Sequence, residues 1–151
     1  MKTHDYKKIH INVDKNNKIY ALPTGLYPER NVVVSLNILY ILEAPYSDKQ
    51  LEQLVFKTFD QCYSEEIENI NAPGILLEYF NVKSYSKAVK GLKWIGIYWN
   101  NDEGYTIIPS NKVPKRGYVH LVDKKKTLGL NPKEGEIAEA LRQAIEESTT
   151  F

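Results

Sequence analysis

Alternating apolar and polar positions predict β-structure near the start of the chain. Apolar residues occupy every second position from Ile9 to Val13, and a second apolar stretch, 18–22, follows the polar turn at 15–18. Alternation with a period of two is typical of a half-buried strand. The turn contains Asn16 and Asn17, and asparagine tolerates the positive φ that tight turns require. The pattern therefore predicts a β-hairpin.

A longer alternating segment follows two stretches rich in proline and glycine. From residue 32 to residue 42 every second side chain is apolar, which predicts one long strand. β-branched residues in this segment favour a strand as well. Leu39 and Ile41 are apolar residues at the positions where the alternation predicts polar ones. A helix is therefore the alternative prediction for this segment.

The next segment has the start signal and the periodicity of a helix. Ser47 stands three residues before Gln50, a spacing that satisfies the free N–H groups at a helix start. Apolar side chains from Leu51 to Cys62 then recur on one face at helical spacing. A helix is predicted from about 48 to 63.

The second half of the chain predicts another hairpin. Residues 92–99 alternate, a polar turn at 100–104 follows, and residues 105–108 are apolar up to Pro109. The short apolar run 75–80 fits either a strand or a helix, and residues 84–90 predict a brief helix. Trp94 and Trp99 are five positions apart, so a strand places them on opposite faces.

The C-terminal part is predicted to contain a basic loop at 112–117, a strand at 118–122 and a helix. Asn131 is interpreted as the helix cap and Pro132 as its first residue, where a missing N–H costs nothing. An apolar stripe runs from Ile137 to Ile145. Together the elements predict an α+β fold: a mainly antiparallel twisted sheet with two principal helices, at about 48–63 and 132–148, in a single domain spanning 1–151.

The composition leaves the predicted fold unchanged and serves only to exclude some classes of partner and location. Twenty basic and nineteen acidic residues give a net charge of +1, which offers no global attraction to nucleic acid or to an anionic membrane. Any charged partner must therefore meet a local patch. No stretch approaches the ~18 apolar residues of a membrane span, and the first residues lack the apolar run of a secretory signal. We expect a cytoplasmic protein in which the single cysteine, Cys62, is a buried thiol.

Candidate chemistry is sparse. His10 and His120, with Lys18 to stabilise charge, could nominally form a metal-independent nuclease site, but the sequence supplies no orienting partner for them. Glycine-rich phosphate loops and metal-binding motifs are absent from the sequence. The sequence therefore predicts no catalytic residue, no cofactor and no metal, and a protein that is not an enzyme.

The C-terminal third of the chain resembles a known family. The strand at 92–99, the return at 105–109, the approach at 127–130 and the last helix are similar to immunity proteins of bacterial contact-dependent growth inhibition (CDI) systems. The helix residues that carry this resemblance are Ile137, Leu141, Ile145 and Ser148. The resemblance implies a cytoplasmic antitoxin that binds the C-terminal domain of a cognate CDI toxin, often a nuclease, and blocks its active site. A toxin domain would then be the protein partner, with no nucleic acid, membrane or small-molecule substrate.

Two acidic segments are candidate partner-binding sites, because carboxylates can mimic phosphate before the basic cleft of a nuclease. They comprise Tyr63, Glu65, Glu66 and Glu68 in one segment and Asp102, Glu103 and Tyr105 in the other. Two other functions remain open from the sequence: a small nuclease or hydrolase using His10 and His120, and a non-enzymatic adaptor.

Overall fold

An antiparallel sheet organises the molecule, and the described residues contribute seven strands to it. The computed structural model describes residues 5–67 and 74–150. The strands lie in the order β3-β2-β1-β5-β6-β9, and β4 also pairs with β2. They are β1 (Tyr6–Val13), β2 (Ile19–Tyr27), β3 (Val32–Ser35), β4 (Tyr40–Leu42), β5 (Lys93–Asn100), β6 (Gly104–Ile108) and β9 (Lys126–Gly129). The predicted α+β class with a mainly antiparallel sheet is confirmed.

One face of the sheet carries the main core. Ile9, Ile11 and Val13 of β1 are fully buried there, and β5 places Ile97 and Ile95 opposite the two isoleucines. Two helices pack on this face, α1 (Asp48–Asp60) and α4 (Glu136–Glu147). Burying each of these aliphatic side chains contributes about 1.5–3 kcal/mol, so the alternation seen in the sequence is what holds the two helices to the sheet.

The other face is covered by smaller elements. They are α2 (Ile75–Phe80), α3 (Tyr85–Ala88) and a separate hairpin of β7 (Ser110–Val113) and β8 (Gly117–His120). A second apolar cluster, which includes Tyr20, Leu22 and Leu92, packs beneath them. The two tryptophans lie on opposite faces as predicted, with Trp99 against the main core and Trp94 against Tyr118.

Several local predictions are confirmed. The N-terminal hairpin forms between β1 and β2, and the hairpin at 92–108 forms between β5 and β6. Helix α1 begins at the predicted capping box, in which the Ser47 hydroxyl accepts from Gln50 N–H and the Gln50 side chain accepts from Ser47 N–H. It ends at Asp60, three residues before the predicted end, and Tyr63 lies in the left-handed region at φ 62°.

The single strand predicted at 32–42 is wrong, because two strands, β3 and β4, occupy that segment. Both pair with the same edge of β2, and the chain leaves the sheet at 36–39. Pro23 lies in β2 at this break, where its carbonyl accepts from Leu36 N–H at 2.9 Å. Since proline has no N–H, β2 cannot continue the hydrogen-bond ladder on that side.

The predicted start of the last helix is also wrong. Helix α4 begins at Glu136, which lies four residues after Pro132, and its N-cap is Gly135 at φ 92°. Its C-terminal end at Glu147 lies within one residue of the prediction. The reason for the late start is a tertiary contact with α1, in which the Glu52 carboxylate accepts from the N–H groups of Gly135 and Ala138.

The remaining predictions were partly right. Residues 84–90 contain the brief helix α3, and the unassigned run 75–80 is helix α2. The strand predicted at 118–122 forms as β8 but ends at His120, because a 3-10 turn begins at Val122. The segment interpreted as a basic loop, 112–117, includes the end of β7 and the turn into β8. Cys62 is buried, as expected for a structural thiol. Within the described ranges, the helices are all too short or too polar to cross a bilayer.

Candidate functional site

The two predicted acidic segments lie at the same end of the sheet. Asn101, in the β5–β6 turn, donates its N–H to the Asp5 carbonyl at 3.2 Å. From the other side, the Tyr63 hydroxyl donates to the Tyr6 carbonyl at 2.6 Å. Both segments are therefore attached to the start of β1, one through its first residue and the other through the residue before it, although they are about forty positions apart in sequence. This surface, which we call the acidic end, has the following exposed carboxylates: Asp5, Asp60, Glu65, Glu66, Asp102 and Glu103.

Within the described part of the chain, no ion pair neutralises the charges of the acidic end. Within residues 5–67 and 74–150 the ion pairs are Lys18 with Glu43 at 3.4 Å and Arg142 with Asp48 at 2.9 Å, and neither involves the acidic end. Lys7 and Lys8 lie nearby in β1 and are half-buried. The fourth residue predicted for the first segment, Glu68, lies outside the described residues. The acidic end is thus a surface of exposed negative charge in a chain of nearly zero net charge.

The hairpin tip is held by the side chain of Asn100. The Asn100 side-chain oxygen accepts from Asp102 N–H at 2.9 Å and from Glu103 N–H at 2.6 Å. Gly104 follows at φ 79°, a conformation that favours glycine. These contacts fix the tip, so the two carboxylates extend from a rigid turn.

The two tyrosines predicted for partner binding have structural contacts. Tyr105 is half-buried, with its ring centroid 5.5 Å from Phe59 and 6.0 Å from Phe56. Burial raises its pKa, and the nearby charge of Asp60 raises it further. Tyr63 is also half-buried and bonded to β1 as described above. The carboxylates are therefore the exposed part of the acidic end. The two tyrosines stabilise the structure beneath these carboxylates.

The candidate nuclease residues His10 and His120 lie on the opposite face of the sheet from α1 and α4. Both rings contact Trp94, whose centroid is 5.3 Å from that of His10 and 4.8 Å from that of His120. His10 Nδ1 is 3.0 Å from the Ser35 hydroxyl, and His120 Nε2 is 2.7 Å from the Tyr98 hydroxyl. Lys18 is not with them: its ammonium contacts Tyr79 at 3.4 Å and pairs with Glu43.

Burial sets the charge of both imidazoles. It lowers the pKa of His10 to about 4, helped by the positive charge of Lys8 and by His120. Burial also lowers the pKa of His120, with Lys8 again contributing. Both rings are therefore neutral at pH 7. A general acid–base pair acting on a phosphodiester needs one protonated group, which this environment disfavours.

A basic cleft lies beside these histidines. It has a volume of about 870 Å³ and opens between α3 and the β7–β8 hairpin. Its floor includes Trp94, His10 and Tyr118, and no carboxylate is found among the described residues that line it. The cations around it are Lys87, Lys90, Lys112, Lys115 and Arg116. We refer to this site as the basic cleft.

Side-chain hydrogen bonds hold the hairpin over the sheet. The Tyr118 hydroxyl donates to the Leu92 carbonyl at 2.6 Å, and Lys112 Nζ donates to the Val89 carbonyl at 2.9 Å. The Ser110 hydroxyl donates to the Trp94 carbonyl. Burial raises the pKa of Tyr118 well above its usual range, so its hydroxyl stays a donor. These bonds join the hairpin to the end of α3 and to the start of β5, and they fix the width of the cleft.

The acidic end and the basic cleft are separated along β5. Trp94 lies near the first residue of this strand and Asn100 is its last. At about 3.3 Å per residue, six residues of strand span roughly 20 Å. The near-neutral composition therefore conceals two oppositely charged surfaces, which a count of charges along the sequence could not reveal.

The basic cleft was not predicted from the sequence. Its cations come from two short segments, 87–90 and 112–116, that are brought together only by the fold. The available signal was the interpretation of 112–117 as a basic loop. That loop contributes one wall. The second wall lies in α3 and the residues after it, and the floor residues Trp94, His10 and Tyr118 lie in three different strands.

Comparison with known proteins adds information about the fold alone. No protein-family model matches the sequence, and no curated protein matches it either. In structure, the chain is similar to a protein of unknown function from Neisseria meningitidis, with a TM-score of 0.72 and 12% sequence identity. The alignment covers 98% of this chain and 99% of that one. The likeness therefore extends over the whole architecture, including both faces of the sheet.

Proposed function

We propose that this protein is an immunity protein of a bacterial CDI system, which binds the cognate toxin domain through the acidic end and blocks its active site. The observation that carries the proposal is the convergence of the two acidic segments on Asp5 and Tyr6, at the start of β1. The sequence resemblance of the C-terminal third supports the same function.

Electrostatics explains why such a surface suits this role. A nuclease active site binds phosphate groups and is therefore positively charged. Exposed carboxylates on a rigid turn can occupy such a site, and charge complementarity also accelerates association. The local concentration of carboxylates supplies this complementarity even though the whole chain has a charge of only +1.

The aromatic surroundings add contact area. Tyr6 is 39% exposed beside the hairpin tip, and its ring centroid is 6.4 Å from that of Tyr98. Tight protein interfaces depend on a few aromatic or arginine anchors within a polar rim. Tyr6 fits this description, with the carboxylates forming the rim.

Co-expression tests the proposal. The protein should co-purify with the toxin domain encoded beside it in a CDI locus and should abolish that domain's toxicity. Replacing Asp102→Lys and Glu103→Lys together should weaken the complex at least tenfold, mainly through slower association. Absence of both binding and protection would refute the proposal.

A matched pair of substitutions controls for net charge. Asp123→Lys and Glu146→Lys make the same chemical changes at exposed positions outside the acidic end. We expect this variant to bind and protect like the unchanged protein. If both pairs weaken binding equally, the acidic end is not the interface.

A second candidate function, a nuclease that uses His10 and His120, is favoured by one observation. Both histidines contact Trp94 on the same face of the sheet. Against it, both rings are neutral at pH 7 for the reasons given above, and Lys18 lies elsewhere. Under this hypothesis the protein should cleave RNA and His10→Ala with His120→Ala should abolish cleavage. Activity that is undetectable, or unchanged in the double variant, would dismiss it.

A further inference from the structure

We propose that the basic cleft is a binding site for a nucleoside polyphosphate, with the phosphates held by its lysines and arginine and the base placed against its aromatic side chains. This inference is independent of the proposed immunity function, because the cleft and the acidic end lie roughly 20 Å apart along β5. It also differs from the prediction made from the sequence, which included no small-molecule ligand.

The charge of the cleft indicates an anion. Lys87, Lys90, Lys115 and Arg116 are exposed at its walls, and none forms an ion pair within the described part of the chain. Crowding like charges costs free energy unless a counter-ion is bound. Because carboxylates are absent from the described lining, the protein itself does not supply that counter-ion. A ligand with several negative charges would.

The fifth cation is positioned differently. Lys112 is half-buried, donates to the Val89 carbonyl and lies over the Tyr118 ring, with its Nζ 5.5 Å from the ring centroid. Burial lowers its pKa. An ammonium held in one place at the base of a cleft loses little side-chain entropy when it binds a phosphate. Lys112 is therefore suited to contact the innermost phosphate.

The aromatic residues indicate that the ligand also carries a flat ring. Trp94 and Tyr118 are in contact at the floor, with their centroids 5.6 Å apart. Tyr85, at the rim, is 59% exposed. Stacking a base on an exposed aromatic ring contributes about 1–3 kcal/mol. An inorganic anion would leave this part of the cleft empty.

Two further observations fit a nucleotide. The volume of about 870 Å³ lies within the range of roughly 300–1,000 Å³ that is usual for small-molecule sites. His10, which contributes to the lining, has a buried Nε2 with no hydrogen-bond partner among the described residues. Buried polar atoms are normally satisfied, so a ligand hydroxyl or ring nitrogen that reaches His10 would complete its bonding.

Calorimetry and tryptophan fluorescence test the proposal with ATP, GTP, adenosine and tripolyphosphate as probes. The Trp99→Phe variant leaves Trp94 as the reporter inside the cleft. We expect ATP or GTP to bind and to change Trp94 fluorescence, adenosine to bind at least tenfold more weakly, and tripolyphosphate to bind more weakly than either nucleotide. Tripolyphosphate binding as tight as ATP would overturn the role of the base, and equal binding of adenosine would overturn the role of the phosphates.

Charge reversal on the two walls provides the site-specific test. Lys90→Glu with Arg116→Glu should weaken ATP binding at least tenfold. Lys124→Glu with Lys125→Glu makes a similar change in net charge at exposed positions outside the cleft and should leave the affinity within about twofold. Circular dichroism would establish that both variants fold, and Lys90→Gln with Arg116→Gln provides a milder version.

Any of three results would refute the proposal. The first is equal weakening by both pairs of substitutions. The second is no binding of ATP or GTP at all. The third is binding of an acidic peptide, such as oligoglutamate, in preference to both nucleotides, which would identify the cleft as a protein-binding surface.

Discussion

Glu52 on α1 caps the start of α4 by accepting hydrogen bonds from Gly135. The Gly135 N–H donates to both carboxylate oxygens, at 3.0 and 3.1 Å, and the Ala138 N–H donates to Oε2 at 3.0 Å. The free N–H groups at a helix start need such acceptors, and a negative charge there is favourable. The contact therefore fixes both the first residue of α4 and its position against α1.

Removing this cap should destabilise the protein. We expect Glu52→Ala to lower the free energy of unfolding by about 2 kcal/mol, because it leaves partly buried N–H groups unpaired. Glu52→Gln should lose about half as much, since it keeps an acceptor without the charge. Urea denaturation measures both. Gln53→Ala, at the exposed neighbouring position, should have almost no effect, and a loss equal to that of Glu52→Ala would contradict the capping role.

Gly104 should be intolerant of any side chain. A Cβ at this position would overlap the carbonyl group of Gly129 in β9, in addition to the strain of φ 79°. Gly117 has nearly the same φ, 80°, with open space around it. We expect Gly117→Ala to cost about 1–2 kcal/mol from backbone strain alone, and Gly104→Ala to cost at least about 3 kcal/mol. Equal losses in thermal or urea unfolding would show that β6 and β9 do not approach this closely.

The buried His10 ring should make stability depend on pH. Its pKa of about 4 lies below the ordinary value of 6.5, so the unfolded chain binds the proton more readily than the folded one. The resulting stabilisation is complete above pH 6.5 and is lost as the pH falls towards 4. We expect a loss of about 2 kcal/mol between pH 7 and pH 5.

The variant His10→Gln serves as the control for this effect. Because it cannot titrate, its free energy of unfolding should vary less over the same interval of pH 7 to 5. Lowering of the His120 pKa acts in the same direction, so some dependence should remain. An unchanged slope in His10→Gln would mean that His10 is accessible to protons in the folded state.

Tyr105 should contribute to folding rather than directly to binding. Its ring is packed against Phe56 and Phe59. We expect Tyr105→Ala to reduce the free energy of unfolding by about 2 kcal/mol, below the value for a fully buried aromatic residue. Tyr105→Phe keeps the ring and should be close to the unchanged protein in both stability and toxin binding. A Tyr105→Phe variant that folds normally but fails to bind would instead make the hydroxyl an interface group.

The predictability of each element depended on whether its determinants were local. The two hairpins and the start of α1 were predictable because alternation, turn residues and the Ser47–Gln50 box act over a few positions. The break between β3 and β4 was not, since it depends on Pro23 in a neighbouring strand. The start of α4 was missed for the same reason, because its cap, Glu52, lies 83 residues before Gly135.

The candidate sites, like the helices and strands, were predictable only where their determinants are local in sequence. The carboxylates of the acidic end could be selected from the sequence as two separate segments. The pairing of β1 with β5 and the hydrogen bond from Tyr63 to Tyr6 place these segments together. The basic cleft depends entirely on the way the β7–β8 hairpin folds over β5. Side-chain hydrogen bonds from Tyr118 and Lys112 to carbonyl groups twenty or more positions away create that arrangement. No sequence pattern predicts these bonds.

The separation of negative and positive surfaces along β5 has a consequence for diffusion. A molecule with almost no net charge is neither drawn to nor repelled by a distant charged body, yet its two unlike poles experience a torque in that body's field. A cationic protein approaching from any direction would rotate this one until Asp102 and Glu103 face the cationic protein, before the surfaces touch. Orientation, rather than long-range attraction, would then govern how often encounters succeed.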